Sequence, residues 1–338
     1  MSTIKLTSQK YVTQLLLVDD LGTGACFRSL DFGATWAAVS KMPSLTVNSV
    51  SFPSPSLGVA CGAAGIYRTT DGGMTWATVA TTGVGFNDIV LLPSGIGWCV
   101  GGSAVVLQTK DGGVTWAAPS GTLPSIGTTN LTGVAAANDK VAWIVGAVYS
   151  GNTVIINTTD GGATFARQGA TYTMPLGTVA CWDTQNVIVS CSTLDSSGRY
   201  SLNGGSTWND MSGLSGVYGG YGVHGSLLAP TATLRVMAVS ALGANVSTLY
   251  RSTNKGLNWS AVTALPTGYQ VNNMVARGNV GYLNAGIGAY NGPNVYYTTT
   301  DGFATLQPAV APYVGYSPRL ALATGWSVLG PSLDLEVA

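Results

Sequence analysis

An eight-residue motif recurs along this chain and sets the period of the sequence. Its clearest copy is TTDGGMTW at residues 69–76, and the shared pattern is Ser/Thr-x-Asp/Asn-x-Gly-x-Thr/Asn-aromatic. Variants of this box lie at residues 29–36, 109–116, 158–165, 201–208, 252–259 and 299–306. Successive acidic or amide positions are 40, 40, 49, 43, 51 and 47 residues apart. A period in the forties that is repeated this often indicates a repeat architecture.

The residue types of the box predict a tight turn between two strands. An Asp or Asn side chain accepts hydrogen bonds from backbone N–H groups a few residues on, and glycine adopts the positive φ that the turn needs. The aromatic residue then begins the next strand, where its ring can cover the neighbouring repeat. We therefore assign a structural role to the box residues Asp31, Asp71, Asp111, Asp160, Asn203, Asn254 and Asp301.

Each repeat also has apolar segments before its box. In the second repeat these are residues 48–52 and 58–61, and residues 66–68 then lead into the box. With the strand after the box, this gives four strands per repeat and an all-β chain. The 338 residues are therefore predicted to form a single β-propeller domain over residues 1–338, with seven four-stranded blades. Six or eight blades are the alternatives.

The two ends of the chain predict how the ring closes. The first repeat begins directly with residues 11–18 and lacks a first strand, whereas residues 319–323 and 326–329 form apolar segments after the last box. We expect strands from both ends to share one blade, because such a join removes free sheet edges. Residues 331–338 are assigned to a C-terminal tail, with a further strand there as the alternative.

The box resembles the Asp-box, or BNR, repeat of sialidases, sortilin-type receptors, xyloglucanase-like glycoside hydrolases and photosystem II assembly factors, including phage-borne proteins of this kind. Seven copies over nearly the whole chain carry the resemblance. Two boxes have Asn in place of Asp, and the last has Phe303 at the glycine position and Leu306 at the aromatic position. The resemblance implies a propeller and a turn role for the boxes, away from any substrate site. The functions within the family are diverse.

Composition excludes several classes of partner. The chain has 14 basic and 14 acidic residues, so it lacks the basic footprint that nucleic acids and anionic membranes require. Only 8% of residues are charged, against roughly 25% in ordinary soluble domains. Residues 1–7 do not read as a secretory signal, and no apolar run reaches the length of a membrane helix. We expect a protein that is made in a host cytoplasm without a cleaved signal peptide and ends in the virion.

The cysteines indicate neither a metal site nor a disulfide framework. There are five of them, without a C-x-x-C pair. Cys61 and Cys99 lie in apolar strands and are predicted to be buried free thiols. Cys181 and Cys191 are placed so that they could face each other across a hairpin. No metal and no cofactor are expected.

Candidate catalytic groups are few. A sialidase site would need a Glu beside a Tyr nucleophile, but the one Glu in the chain is Glu336, two residues from the C-terminus. A hydrolase of the xyloglucanase kind needs two facing carboxylates, and only Asp88 is placed to face the channel. Asp139 and Asp183 sit in turns. The single histidine, His224, has no partners for a triad or a metal site. The sequence therefore predicts that the protein is not an enzyme.

Aromatic residues in Gly-rich insertions are the remaining candidates for a binding site, since rings there can stack on sugars or pack on a partner. These candidates are Tyr218, Tyr221, His224, Tyr290, Tyr313 and Tyr316. The predicted function is a structural or receptor-binding propeller of a tailed-phage virion, contacting a neighbouring virion protein or a host surface glycan. The alternatives are an assembly factor similar to the photosystem II type and a glycan-binding or glycoside hydrolase-like propeller.

Overall fold

The structure is a computed structural model, and it shows an all-β propeller. It describes residues 11–18, 25–31, 33–40, 42–43, 47–127, 129–147, 153–169, 176–191, 198–212, 227–228, 230–240, 247–265, 269–287, 294–309 and 319–326.

The strands of the first half of the chain form sheets 1 to 4. Sheet 1 contains β1 (Tyr11–Val18), β2 (Cys26–Ser29) and β3 (Ala37–Val39). Sheet 2 contains β4 (Val47–Ser51), β5 (Gly58–Gly62), β6 (Gly65–Thr69) and β7 (Ala77–Ala80). Sheet 3 contains β8 (Phe86–Leu91), β9 (Gly97–Gly101) and β10 (Val106–Thr109), with a 3-10 turn at Gly102–Ala104. Sheet 4 contains β11 (Asn130–Ala136), β12 (Ala142–Ala147), β13 (Thr153–Thr158) and β14 (Ala166–Arg167).

The second half of the chain forms sheets 5 to 7 and completes sheet 1. Sheet 5 contains β15 (Leu176–Cys181), β16 (Val187–Cys191), β17 (Arg199–Ser201) and β18 (Asn209–Asp210). Sheet 6 contains β19 (Leu227–Leu228), β20 (Arg235–Ser240), β21 (Ser247–Ser252) and β22 (Ser260–Ala264). Sheet 7 contains β23 (Tyr269–Arg277), β24 (Val280–Ile287), β25 (Asn294–Thr299) and β26 (Gln307–Ala309). The last strand, β27 (Arg319–Trp326), joins sheet 1.

The prediction of seven four-stranded blades is wrong in one respect. Six sheets have four strands, whereas sheet 3 has three among the described residues. After its box, the chain makes only an isolated bridge between Gln108 and Ala117. Pro119 follows two residues later and has no N–H to extend the ladder. An outer strand therefore does not form there.

The two ends of the chain share sheet 1, as the sequence predicts. Strand β27 runs antiparallel to β1 over its whole length, from Tyr11 opposite Trp326 to Val18 opposite Arg319. The sheet order is β27-β1-β2-β3, so the C-terminal strand is the innermost one. It contacts the innermost strands β23 and β4 on either side. The C-terminal strand thus closes the ring.

The hydrophobic core lies between consecutive sheets. The second strands of sheets 2 and 3, β5 and β9, are buried at every residue and so are covered on both faces. This explains why these strands are continuous apolar runs and do not alternate. The box aromatics add to the core at sheet boundaries. Phe165 packs edge-on against Trp98 of the preceding sheet, with ring centroids 6.1 Å apart, as is typical of T-shaped aromatic pairs. Trp36 meets Tyr282 in the same way at 6.0 Å and joins the first sheet to the last.

The cysteines behave as small apolar residues. Cys26, Cys61 and Cys99 are buried free thiols. The register of sheet 5 places Cys191 opposite Leu176 and Cys181 opposite Val187. These two cysteines therefore lie at opposite ends of the hairpin, and the idea that they face each other is wrong.

Candidate functional site

Each box is a hydrogen-bonded turn between the third strand of a sheet and the segment that follows. In the second box, the Asp71 carboxylate accepts hydrogen bonds from Thr69 Oγ1 at 2.7 Å, Thr75 N at 2.9 Å and Thr75 Oγ1 at 2.5 Å. Thr69 Oγ1 in turn accepts from Gly73 N at 2.9 Å. The same set of bonds recurs around Asp31, Asp111 and Asp160. The carboxylate thus ties both ends of the turn together.

The diverged boxes keep this geometry. In the fifth box, Asn203 Oδ1 accepts from Thr207 N at 2.9 Å, and its Nδ2 donates to Thr207 Oγ1 at the same distance. In the last box, Asp301 accepts from Thr305 N at 3.0 Å although Phe303 stands at the glycine position. Phe303 adopts φ 64 and is fully buried. The turn therefore depends on the Asp or Asn acceptor more than on glycine.

Hydrogen bonds hold the box carboxylates ionised. Bonds from the threonine at the seventh box position lower the pKa of Asp31, Asp111, Asp160 and Asp301 from 3.8 to about 2. Burial opposes this effect at Asp71, where it is the largest single influence, but the bonds from Thr75 and Thr69 still lower the pKa. These groups are occupied as acceptors within their own turns.

The boxes also join neighbouring sheets. In four repeats the residue before the box, on the third strand of its sheet, donates a hydrogen bond to the next box along the chain, and the first of these bonds runs from Arg28 Nη1 to Asp71 O at 3.2 Å. Arg68 Nε donates to Gly112 O at 2.8 Å, Gln108 Nε2 to Gly161 O at 3.0 Å, and Arg251 Nε to Gly302 O at 2.8 Å. Four of the scarce cations and amides of the chain are thus used as ties between sheets. They are not available for a ligand.

One face of the propeller carries all seven boxes, and we call it the box face. Antiparallel pairing puts the turn between strands one and two at the same end of a sheet as the box. The backbone shows this contact directly, because Gly112 N donates to Gly95 O at 3.0 Å and Gly161 N to Lys140 O at 2.9 Å. The box face therefore consists of the boxes and these first turns.

A central cavity of about 320 Å³ opens between the innermost strands β4, β8, β11, β15 and β23. Asp88 on β8 lines it, and no other carboxylate does so among the described residues. Asp88 Oδ1 accepts from Ser49 Oγ at 2.7 Å and Ile89 N at 2.9 Å, and Oδ2 accepts from Val134 N at 2.9 Å. The carboxylate therefore fastens sheets 2, 3 and 4 to one another.

Polar side chains at β-bulges provide a second set of ties around the cavity. Asn48 Nδ2 donates to Phe86 O at 2.6 Å, Asn87 Nδ2 to Leu131 O at 2.7 Å, and Thr132 Oγ1 to Leu176 O at 2.9 Å. Each lies where the register of its strand shifts by one residue. Sequence reasoning missed these residues, although an apolar residue followed by Asn or Thr recurs at the start of the innermost strands.

The other candidate carboxylates do not approach Asp88. Asp139 accepts from Ser94 Oγ at 2.5 Å, and Asp183 accepts from Gln185 N and Asn186 N in its own turn at 2.8 and 2.7 Å. Both lie on first turns at the box face. Glu336 lies outside the described residues. Within the described part of the chain, no three His, Cys, Asp or Glu side chains are grouped as a metal site would require.

The predicted binding residues lie outside the described residues, and their role stays a prediction. They are Tyr218, Tyr221, His224, Tyr290, Tyr313 and Tyr316. The described part of the chain also contains no helix long and apolar enough to cross a membrane.

Large apolar side chains are exposed on the box face. Sequence reasoning did not single them out. Five such residues are between 39% and 52% exposed, and they are Leu30, Met74, Val114, Trp182 and Leu202. Four belong to boxes, and Trp182 belongs to the first turn of sheet 5. The arrangement gives the box face an apolar character that the rest of the described surface lacks.

The recurring box, with its hydrogen-bonded turn in every sheet, decides what kind of propeller this is. The chain is an Asp-box β-propeller. A sequence profile described as photosynthesis system II assembly factor YCF48 matches residues 81–211 of this Asp-box propeller. A comparison with curated protein sequences finds no match.

Solved structures with the same fold include both binding proteins and enzymes. YCF48 bound to D1 peptide is 18% identical with a TM-score of 0.57, and the match covers 78% of this chain and 82% of that chain. YCF48 from Cyanidioschyzon merolae is 15% identical with a TM-score of 0.59, and the match covers 86% and 97%. The GH74 xyloglucanase from Xanthomonas campestris is 14% identical with a TM-score of 0.59, and the match covers 78% of this chain and 45% of that chain. At these identities the likeness concerns the fold alone.

Proposed function

We propose that this Asp-box propeller is a non-catalytic protein that docks to another protein. The observation that carries the proposal is the state of Asp88. Acid-base catalysis needs a carboxyl group that is free to exchange a proton with a substrate, and glycoside hydrolysis needs two such groups. The one carboxylate on the described cavity wall, Asp88, instead accepts three hydrogen bonds from the protein itself, donated by Ser49, Ile89 and Val134.

Protein docking is supported by the apolar side chains of the box face. Leu30, Met74 and Val114 are exposed on three consecutive boxes. Exposed apolar groups that are gathered on one face, within a charge-poor surface, are typical of protein–protein contacts. YCF48, a propeller of the same fold, has been solved bound to D1 peptide. A peptide or protein partner is therefore the class we propose for this chain.

We propose that the protein acts in the virion and that its partner is a neighbouring virion protein. We further propose that residues 218–224 and 290–293 bind a host surface glycan. The proposal rests on the charge-poor, Ser-, Thr- and Gly-rich composition. An assembly factor similar to YCF48 is the second candidate, and the profile match over residues 81–211 favours it.

Cross-linking of purified phage particles, followed by mass spectrometry, tests both parts of this proposal. Lys110 and Lys140 are exposed on the box face and accept amine-reactive cross-linkers. We expect the propeller to be present in the particles and both lysines to be linked to one virion protein. Absence from the particles would contradict the virion setting and favour the assembly factor. Presence without links from either lysine would contradict docking through the box face.

A further inference from the structure

Arg235 stands at a position where the other sheets have small or apolar residues. It is the first residue of the second strand of sheet 6 and lies opposite Ser252 of the box. The equivalent residues opposite the box Ser or Thr in the other six sheets are Leu15, Gly58, Gly97, Ala142, Val187 and Gly281. Space here is normally filled by a neighbouring side chain, since a Cβ on Gly58 would lie 2.5 Å from the ring of Phe52. In sheet 6 the side chain at this position is the cation Arg235.

The guanidinium of Arg235 is buried and only partly hydrogen-bonded. Its side chain is 0% exposed. Nη1 donates to Thr231 O at 2.8 Å and to Leu234 O at 2.7 Å. Nε and Nη2 have no hydrogen-bond partner among the described residues. These two nitrogens form one edge of the guanidinium, and this edge matches the two oxygens of a carboxylate or phosphate.

The surroundings of Arg235 do not neutralise it. Burial lowers the pKa of Arg235 to about 10, so the side chain remains a cation at neutral pH. Asp183 of sheet 5 acts on it electrostatically, as does Cys181, which lines the central cavity. Asp183 does not form an ion pair with Arg235. Among the described residues the ion pair is that between Arg199 and Asp210. Both oxygens of Asp183 are occupied by its own turn, and Lys255 further offsets its charge.

Burying a cation with two unpaired N–H donors costs free energy of folding unless an anion accepts hydrogen bonds from them. We propose that the Nε–Nη2 edge of Arg235 binds a small oxyanion, a carboxylate or a phosphate, between sheets 5 and 6. The site is specific to sheet 6, because no other sheet has a basic residue at this position. Chloride is a single atom, so it cannot accept two parallel hydrogen bonds from Nε and Nη2 as the two oxygens of a carboxylate or phosphate can.

Thermal unfolding of the full chain tests this site, with sodium phosphate, sodium acetate and sodium chloride compared at matched ionic strength. A ligand that binds the native state raises the Tm. Phosphate also stabilises folded proteins generally, so the measure is the rise in Tm over chloride in the wild type minus the same rise in Arg235→Met. We expect this excess to be positive for phosphate or acetate, and the anion that gives it identifies the ligand class. Titration calorimetry should show the Kd of that anion weakened by about tenfold or more in Arg235→Met.

Arg251→Met is the matched control, since Arg251 is in the same sheet and its Nε already donates to Gly302 O. This variant should respond to the anions as the wild type does. Arg235→Lys keeps the positive charge but lacks the paired Nε and Nη2 donors. It should fold and lose the preference for oxyanions over chloride. This variant takes the place of Arg235→Met if Arg235→Met does not fold. The proposal is overturned if the wild type does not distinguish oxyanions from chloride. It is equally overturned if the variants at Arg235 keep the wild-type response.

Discussion

The hydrogen-bond acceptor at the third box position is the residue that matters most for each turn. Asp71→Ala leaves Thr75 N and the hydroxyls of Thr69 and Thr75 without their acceptor. We expect this change to lower the free energy of unfolding by about 1 to 2 kcal/mol, measured by urea denaturation. Asp71→Asn is the control and should lose less, because Asn203 and Asn254 already serve in this role. Equal stability of Asp71→Ala and the wild type would show that the box is not a structural turn.

Phe303 and Gly281 form a matched pair in sheet 7. A Cβ on Gly281 would lie 2.5 Å from Cζ of the buried Phe303 ring. Gly281→Ala should therefore destabilise the protein by about 1 to 3 kcal/mol through overpacking. In a Phe303→Gly background the same substitution should cost clearly less, and a double-mutant cycle measures the difference. Additive losses would mean that the two residues do not share this space.

Residue types could predict the box turns but not the side chains that tie sheets together. The box repeats seven times, and the chemistry of Asp, Thr and Gly in a turn is local. The roles of Asp88 and Arg235 depend on residues that are distant in sequence, such as Val134 for Asp88. A single Arg at a normally small position is visible in the sequence only after the strands have been aligned by their pairing. The predicted Tyr and His sites remain untested.

At the scale of elements, the C-terminal strand β27 is the one whose loss should matter most. Deleting residues 317–338 removes β27 and exposes the edge of β1 along its full length. An unpaired edge invites pairing with other chains. We expect the truncated protein to aggregate and to unfold at a lower temperature, as followed by light scattering during a thermal ramp.

Deletion of residues 331–338 is the matched control, because it leaves β27 (Arg319–Trp326) intact. This shorter truncation should behave as the full chain does. A 317–338 deletion that stays monomeric with the parent Tm would contradict the shared sheet. The sharing could be predicted because both ends carry incomplete sets of strands. The missing fourth strand of sheet 3 could not, since it follows from where Pro119 falls relative to the box.

At the scale of the whole molecule, the boxes together contribute to the acid stability. Four of them hold an Asp whose pKa is lowered from 3.8 to about 2 by threonine hydrogen bonds, and these are Asp31, Asp111, Asp160 and Asp301. A folded-state pKa below the unfolded value contributes stability that is present above about pH 4 and is lost as the pH falls towards about 2. We expect the urea midpoint to fall across this window.

Asp111→Asn provides the comparison for this pH dependence, because it keeps an acceptor without a titrating group. Its midpoint should fall less steeply with acid than that of the wild type. A midpoint that is constant between about pH 5 and pH 2.5 would be inconsistent with ionised, hydrogen-bonded box carboxylates.

We propose that the cavity carboxylate Asp88 holds sheets 2, 3 and 4 together and does not catalyse a reaction. The direct measurement is turnover of sialosides and β-glucans by the wild type and Asp88→Asn, each with its Tm, with Asp139→Asn as a control outside the cavity. We predict no turnover by any of the three. Asp88→Asn alone should lose about 1 to 3 kcal/mol of stability, because its amide cannot accept from both Ser49 and Val134 as the carboxylate does. Turnover by the wild type that is lost in Asp88→Asn at unchanged Tm would contradict the account.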